Sequence, residues 1–134
     1  AKKDLSIKEI PLSKDLFTKN KRIFGSFIDN IKSQATSINA IIKTSDKSSI
    51  FLFGAHIFSQ YLINFGLDET KINNIIDNDS AKHEKRLYGT NLICKSPHVL
   101  EEVDKPVVIL KAGVYNNEIK ADILSNINCE TVFI

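Results

Sequence analysis

The stretch Ile50-Phe51-Leu52-Phe53-Gly54-Ala55-His56-Ile57-Phe58-Ser59-Gln60-Tyr61-Leu62 constrains the fold more than any other part of the chain. A run of apolar residues stops at a glycine, and sequence of helical period follows. This is the pattern of a strand, a tight turn and a helix that opens a nucleotide-type α/β sheet. In such sheets the helix N-terminus offers free N–H groups and a positive dipole to an anion, and a glycine lets backbone approach it closely. A dinucleotide-binding loop needs three glycines at G-x-G-x-x-G spacing, whereas Ala55, His56 and Ser59 surround a single Gly54. The segment therefore predicts a ligand crevice, but not an NAD or S-adenosylmethionine site.

The rest of the chain repeats this alternation. From Leu16, apolar residues recur at Ile23, Phe24, Phe27, Ile28, Ile31, Ala35, Ile38, Ile41 and Ile42. Those steps of three and four mark one face of a long helix that starts near Ser13-Lys14-Asp15. Leu5 to Leu12, broken by a proline, reads as a loop or edge segment. Beyond a polar link from Thr44 to Ser49, strands are expected at Ile50 to Phe53, Ile72 to Ile76, Leu92 to Lys95, Val107 to Leu110 and Thr131 to Ile134. Helices are expected over Ile57 to Phe65, closed by Gly66, over His98 to Val103 after Ser96-Pro97, and from Asn117 to about Ile127, capped by Asn116.

Alternating strands and helices require right-handed crossovers and a mostly parallel sheet. The expected architecture is a Rossmann-like three-layer α/β/α unit with five strands in the order 3-2-1-4-5, preceded by the long helix. Residues 1–47 then form the lead-in and helix, and residues 48–134 the Rossmann-like domain, in one compact unit. In that order the chain reverses direction between strands one and four. The loops after them, Gly54-Ala55-His56 and Lys111-Ala112-Gly113-Val114-Tyr115-Asn116, face each other across a crevice.

Bulk properties narrow the function. A formal charge of +2 with interspersed signs gives no footprint for nucleic acid, and the basic run from Lys19 to Arg22 reads as solvated helix face. No apolar stretch approaches the ~20 residues of a membrane span, and no signal-peptide core opens the chain; a soluble, cytoplasmic protein is the expectation. Cys94 and Cys129 lack metal or redox spacing and read as small buried hydrophobes on opposite sheet edges. The chain begins at Ala1 and contains no methionine, so we expect a processed product or, in preference, a piece of a longer protein.

Asp77 ends the second strand, 23 positions beyond Gly54, close to the ~20 at which dinucleotide folds place an acid on a ribose hydroxyl. A carboxylate can accept two hydroxyl hydrogen bonds from a diol. Asp77-Asn78-Asp79 is also good turn chemistry on its own. His56 opens the first helix of the sheet, where the dipole keeps it neutral and able to contact a ligand. As a base it has no evident partner. Tyr115 and Asn116, just past Gly113, offer a ring and an amide. His83 and His98 read as surface residues. The candidate substrate-binding residues are Gly54, Ala55, His56, Asp77, Asn78, Gly113, Tyr115 and Asn116, with no catalytic or metal-binding residue.

Phe53-Gly54-Ala55, Ile76-Asp77-Asn78-Asp79-Ser80-Ala81-Lys82, Leu87-Tyr88-Gly89-Thr90-Asn91 and Ile109-Leu110-Lys111-Ala112-Gly113-Val114-Tyr115-Asn116-Asn117-Glu118-Ile119 together resemble the C-terminal domain of the S-adenosylmethionine-dependent sugar C-methyltransferases. The likeness covers roughly residues 48 to 134. It implies a parent enzyme of three parts: a small zinc-binding domain, a central domain that holds S-adenosylmethionine, and this substrate-side domain acting on a nucleotide-linked sugar. Neither cofactor is expected in this chain, and the methyltransferase domain of the same parent is the expected partner. The family often has a polar residue or lysine after Gly-Ala, where this chain has His56. A different class of reading is a degenerate Rossmann-like module kept for docking, with no ligand.

Overall fold

The computed structural model describes residues 15–134. The segment from Leu5 to Leu12, expected as a loop or edge, lies outside the described residues. The long helix, α1, runs from Leu16 to Ile42. It is followed by β1 (Ile50–Phe53), α2 (Ile57–Asn64), β2 (Asn74–Ile76), β3 (Cys94–Lys95), β4 (Val107–Leu110), α3 (Asn116–Asn126) and β5 (Val132–Phe133). All strand pairs are parallel and the order is β3-β2-β1-β4-β5. The protein thus has the Rossmann-like α/β architecture that the alternation predicts.

Period-two alternation divides β1 and β4 between two cores. Ile50, Leu52 and Ile109 face α1 and α2, joining Ile31, Ala35, Ile38, Ile42 and Leu62. Phe51, Phe53, Val108 and Leu110 face the other way, onto Leu100, Ile119 and Ile123. Covering on both faces explains why these two strands carry unbroken apolar runs.

The buried residues of α1, Ile31, Ala35, Ile38 and Ile42, lie in its second half, and its apolar stripe continues onto a first half that is largely exposed. Phe17, Ile23 and Phe24 are exposed there, alongside Lys19, Lys21 and Arg22. The helix spans roughly 40 Å at 1.5 Å per residue, which is long for a sheet whose longest strands have four residues.

Several element boundaries differ from expectation. Asp68 caps a 3-10 turn over Glu69–Lys71, which delays β2 to Asn74. Only Cys94 and Lys95 of the expected third strand join the sheet, because the preceding segment folds back on it. Glu84 N–H donates to Cys94 O at 2.8 Å, Cys94 N–H to Lys85 O at 2.8 Å, and Leu87 N–H to Leu92 O at 3.0 Å. That hairpin covers the outer edge of β3, a common way of shielding unpaired strand groups. The helix expected after Pro97 is a 3-10 turn, Pro97–Glu102, with Ser96 as its cap. Cys94 is buried, but Cys129 is exposed, because it lies in the turn between α3 and β5 and not in a strand.

Ile109 is fully buried in β4 between β1 and β5. Ile109→Ala should lower unfolding stability by about 2–5 kcal/mol, read from urea denaturation, whereas Val132→Ala on half-exposed β5 should cost under about 1 kcal/mol.

Candidate functional site

A crevice of about 490 Å³ opens at the C-terminal ends of β1 and β2, across from the start of α3. Phe53, Gly54, His56, Asp77, Asn78, Lys82, Ala112, Tyr115, Glu118, Ile119 and Asp122 line it. β1 and β4 pair over their whole length, Ile50 opposite Val107 through Phe53 opposite Leu110. Their following loops are thereby placed side by side where the winding reverses.

Gly54 adopts φ +97°, a conformation that L side chains rarely take, and a β-carbon there would stand 2.1 Å from His56 Nε2. The glycine thus serves two needs at once: a left-handed turn, and room for the imidazole folded back over the backbone. His56 Nδ1 is buried without a hydrogen-bond partner among the described residues, and its ring meets Phe58 edge-on at 5.9 Å. Burial pushes the imidazole pKa down. The negative charge of Asp77 opposes this and Lys82 assists it. The expectation of a neutral His56 agrees in direction, with desolvation rather than the helix dipole as the leading cause.

Asp77 is only 7 % exposed and almost fully engaged. Its Oδ2 accepts from Ala55 N–H at 2.7 Å and from Lys82 Nζ at 3.0 Å, and its Oδ1 from Asp79 N–H at 2.9 Å. Burial alone would raise its pKa. The hydrogen bonds from Asp79, Lys82 and Ala55 outweigh that and hold the carboxyl below the usual range. A carboxylate has about four acceptor positions, so little capacity remains for a ligand diol. The turn role and the site role fall on the same side chain, and the turn role takes most of it.

The candidate residues divide among three hollows. Gly54, His56, Asp77, Asn78 and Tyr115 line the crevice. Gly113 and Asn116 line a neighbouring groove of about 280 Å³ with Phe27, Ile31 and Phe58. Ala55 turns toward a third hollow with Lys82, Lys85 and Arg86. Asn116 does not cap α3 as expected. The helix begins at Asn116 itself, directly after the 3-10 turn Gly113–Tyr115, so there is no extended cap residue, and its Oδ1 accepts from Ala112 N–H at 2.8 Å. His83 is not a plain surface residue either, since its Nε2 lies 2.7 Å from Asp77 O. His98 is exposed and pairs with Glu101 at 2.5 Å.

Lys82, Glu118 and Asp122 are charged crevice residues that sequence reasoning missed; Glu118 and Asp122 had a signal. Their spacing of four on α3 places them on one helix face, and that is the signal that could have found them. With Asp77 they give the crevice three carboxylates against one lysine, itself bound to Asp77. Like charges at about 4 Å repel by about 1 kcal/mol even in bulk water and more near protein. The crevice thus suits hydroxyl or amine donors and disfavours an anion.

Asp77→Asn removes the negative acceptor and turns an amide toward Ala55 N–H, which should cost about 1–3 kcal/mol at pH 7. The folded carboxyl titrates below its unfolded value, so its stabilisation is complete above about pH 4 and drains as the pH falls through the folded value. Urea midpoints measured down the acid limb should fall less steeply for Asp77→Asn than for the native chain.

The chain matches no family model, and no curated protein or solved structure matches it.

Proposed function

We propose that the chain is the C-terminal, substrate-side domain of an S-adenosylmethionine-dependent C-methyltransferase, and that its crevice holds the hydroxyl-bearing part of a nucleotide-linked sugar. The resemblance of the loops after β1, β2 and β4 motivates this reading. One observation carries it furthest: the 490 Å³ crevice at the point of reversed winding, lined by Asp77, Glu118 and Asp122 with Tyr115 at the side. Its volume falls within the roughly 300–1,000 Å³ of small-molecule sites. With Asp77 engaged within the protein, the Glu118 and Asp122 carboxylates accept hydrogen bonds from sugar hydroxyls, and the exposed Tyr115 ring provides a flat wall.

The described residues do not fit either cofactor. The turn after β1 has a single glycine with the His56 ring folded over it. Among the described residues, no three His, Cys, Asp or Glu side chains gather as metal ligands. S-adenosylmethionine and zinc are assigned to other domains of the parent, and this domain's part is to bind and orient substrate.

Backbone amide shifts measured during titration of the 134-residue chain with dTDP-glucose test this reading. Movement at residues 54–56, 77–79 and 115–122 supports it, and silence there removes it.

A second reading, docking against the methyltransferase domain of the same parent, is favoured by the exposed apolar residues in the first half of α1. Phe17, Ile23 and Phe24 extend the same stripe that packs the core from Ile31 onward. Aromatic contacts run from Phe24 through Phe27 to Tyr61 and Phe58, forming an apolar surface of the kind that marks interaction sites. Phe17→Asp/Phe24→Asp should change unfolding stability by less than about 0.5 kcal/mol per site and sharply reduce binding of a hydrophobic dye such as anilinonaphthalene sulfonate. Unchanged dye binding would remove the patch from consideration.

A further inference from the structure

We propose that the basic hollow beside Ala55 is an anion subsite that takes the diphosphate of the ligand whose hydroxylated end lies in the crevice. The assignment of the crevice to a nucleotide-linked sugar is the reading on which the second half of this statement rests. The hollow, about 220 Å³, is lined by Ala55, Lys82, Lys85, Arg86 and Tyr88 among others. It adjoins the crevice directly: Lys82 lines both, and Ala55 stands between Gly54 and His56, which line the crevice. A ligand can therefore pass from one to the other over a single residue.

The charges on the two sides are opposite. Asp77, Glu118 and Asp122 line the crevice, while the hollow has three cations and no carboxylate. Asp77 and Asp79 hold the Lys82 amine, at 3.0 and 3.9 Å. Lys85 and Arg86 differ: among the described residues neither has an ion-pair partner, and Lys85 Nζ donates only to Ala81 O, at 2.6 Å. The nearest acid in sequence, Glu84, is drawn away by Lys95, whose Nζ reaches its two carboxylate oxygens at 2.9 and 2.7 Å. The two cations are thereby left with charge available to a ligand.

The segment that carries them is fixed. The hairpin bonds between residues 84–87 and 92–94 tie it to the edge of the sheet, and Leu87 is buried beneath it. Glu84 takes φ +61° at the start of this bend, uncommon backbone for a residue other than glycine. Arg86 presents a planar fork suited to phosphate oxygens and Lys85 a point charge. Tyr88, 87 % exposed, stands at the rim. In dinucleotide folds the phosphates lie over the glycine turn. In this protein the His56 ring occupies that space and acids line the crevice side, so the diphosphate is displaced sideways onto the loop after β2.

Inorganic pyrophosphate, titrated into the 134-residue chain, tests the subsite without reference to any sugar. Amide shifts should concentrate at residues 82–88 and disappear in Lys85→Ala/Arg86→Ala, whose two sites are exposed and whose fold is checked by its urea midpoint. Shifts that are absent at 82–88, or that persist in the double variant, overturn the proposal. The affinities of the native chain and of the double variant for dTDP-glucose then test the link to the crevice. Affinity at least tenfold weaker in the double variant, with flatter salt dependence and unchanged weak binding of thymidine or methyl glucoside, supports the shared ligand. Equal dTDP-glucose affinity in both overturns it. Pyrophosphate binding at 82–88 with no response to dTDP-glucose, thymidine or methyl glucoside leaves the subsite standing and removes the sugar-nucleotide reading instead.

Discussion

The Asp77 carboxylate continues the β1–β2 pairing past the ends of the strands and joins three pieces of chain: the turn after β1 through Ala55 N–H, the turn after β2 through Asp79 N–H, and the loop beyond it through Lys82. The bond to the half-buried Ala55 N–H matters most, because leaving such a group unmade costs more than making it gains. The crevice walls at Gly54 and Asn78, and the orientation of Lys82 between crevice and hollow, all depend on this carboxylate. The acid at the end of the second strand, which in dinucleotide folds faces a ribose, here faces inward to its own backbone. Its architectural position is retained while its hydrogen bonds are spent within the protein.

That exchange has an electrostatic consequence. With Asp77 internally satisfied, the free charge of the crevice comes from Glu118 and Asp122 on α3, and the free positive charge comes from Lys85 and Arg86 on the hairpin. Glu118 also sits in the first turn of its helix, where a negative side chain complements the dipole. The helix end that would attract an anion is thus already neutralised from within. The separation of charge between the two hollows follows from where these helices and loops begin, and not from a dedicated binding motif.

The order of strands and the location of the crevice were legible because they depend on features that sequence displays directly. Ile50–Phe53 and Val107–Leu110 are apolar on both faces and bounded by glycine or polar residues, and right-handed crossovers leave few ways to arrange five such units. That Gly54 and Asp77 line this crevice was legible for the same reason. The direction in which Asp77 points was not, because it depends on Lys82 and on a turn at Ser80–Lys82 that Asp79 caps. Nor was the hairpin over β3, whose partners Glu84 and Cys94 are ten residues apart and carry no periodic signal. Asn116 misled because an asparagine before a helix usually caps it. Here a 3-10 turn runs straight into the helix and the amide is used to close the loop onto Ala112.

His56 draws these strands together. Its Nδ1 is buried and, among the described residues, unpartnered, an uncommon state for a buried polar atom, since nearly all find a partner. Its ring folds over Gly54, where a β-carbon would stand 2.1 Å from Nε2, and its proton is disfavoured by burial. A neutral ring in that place blocks close approach of phosphate to the β1 turn and adds no positive charge to attract it. One side chain therefore accounts for the lone glycine and for the acidic crevice being left to uncharged donors. In the binding mode we propose, an anion is left to the cationic loop on the far side of Ala55.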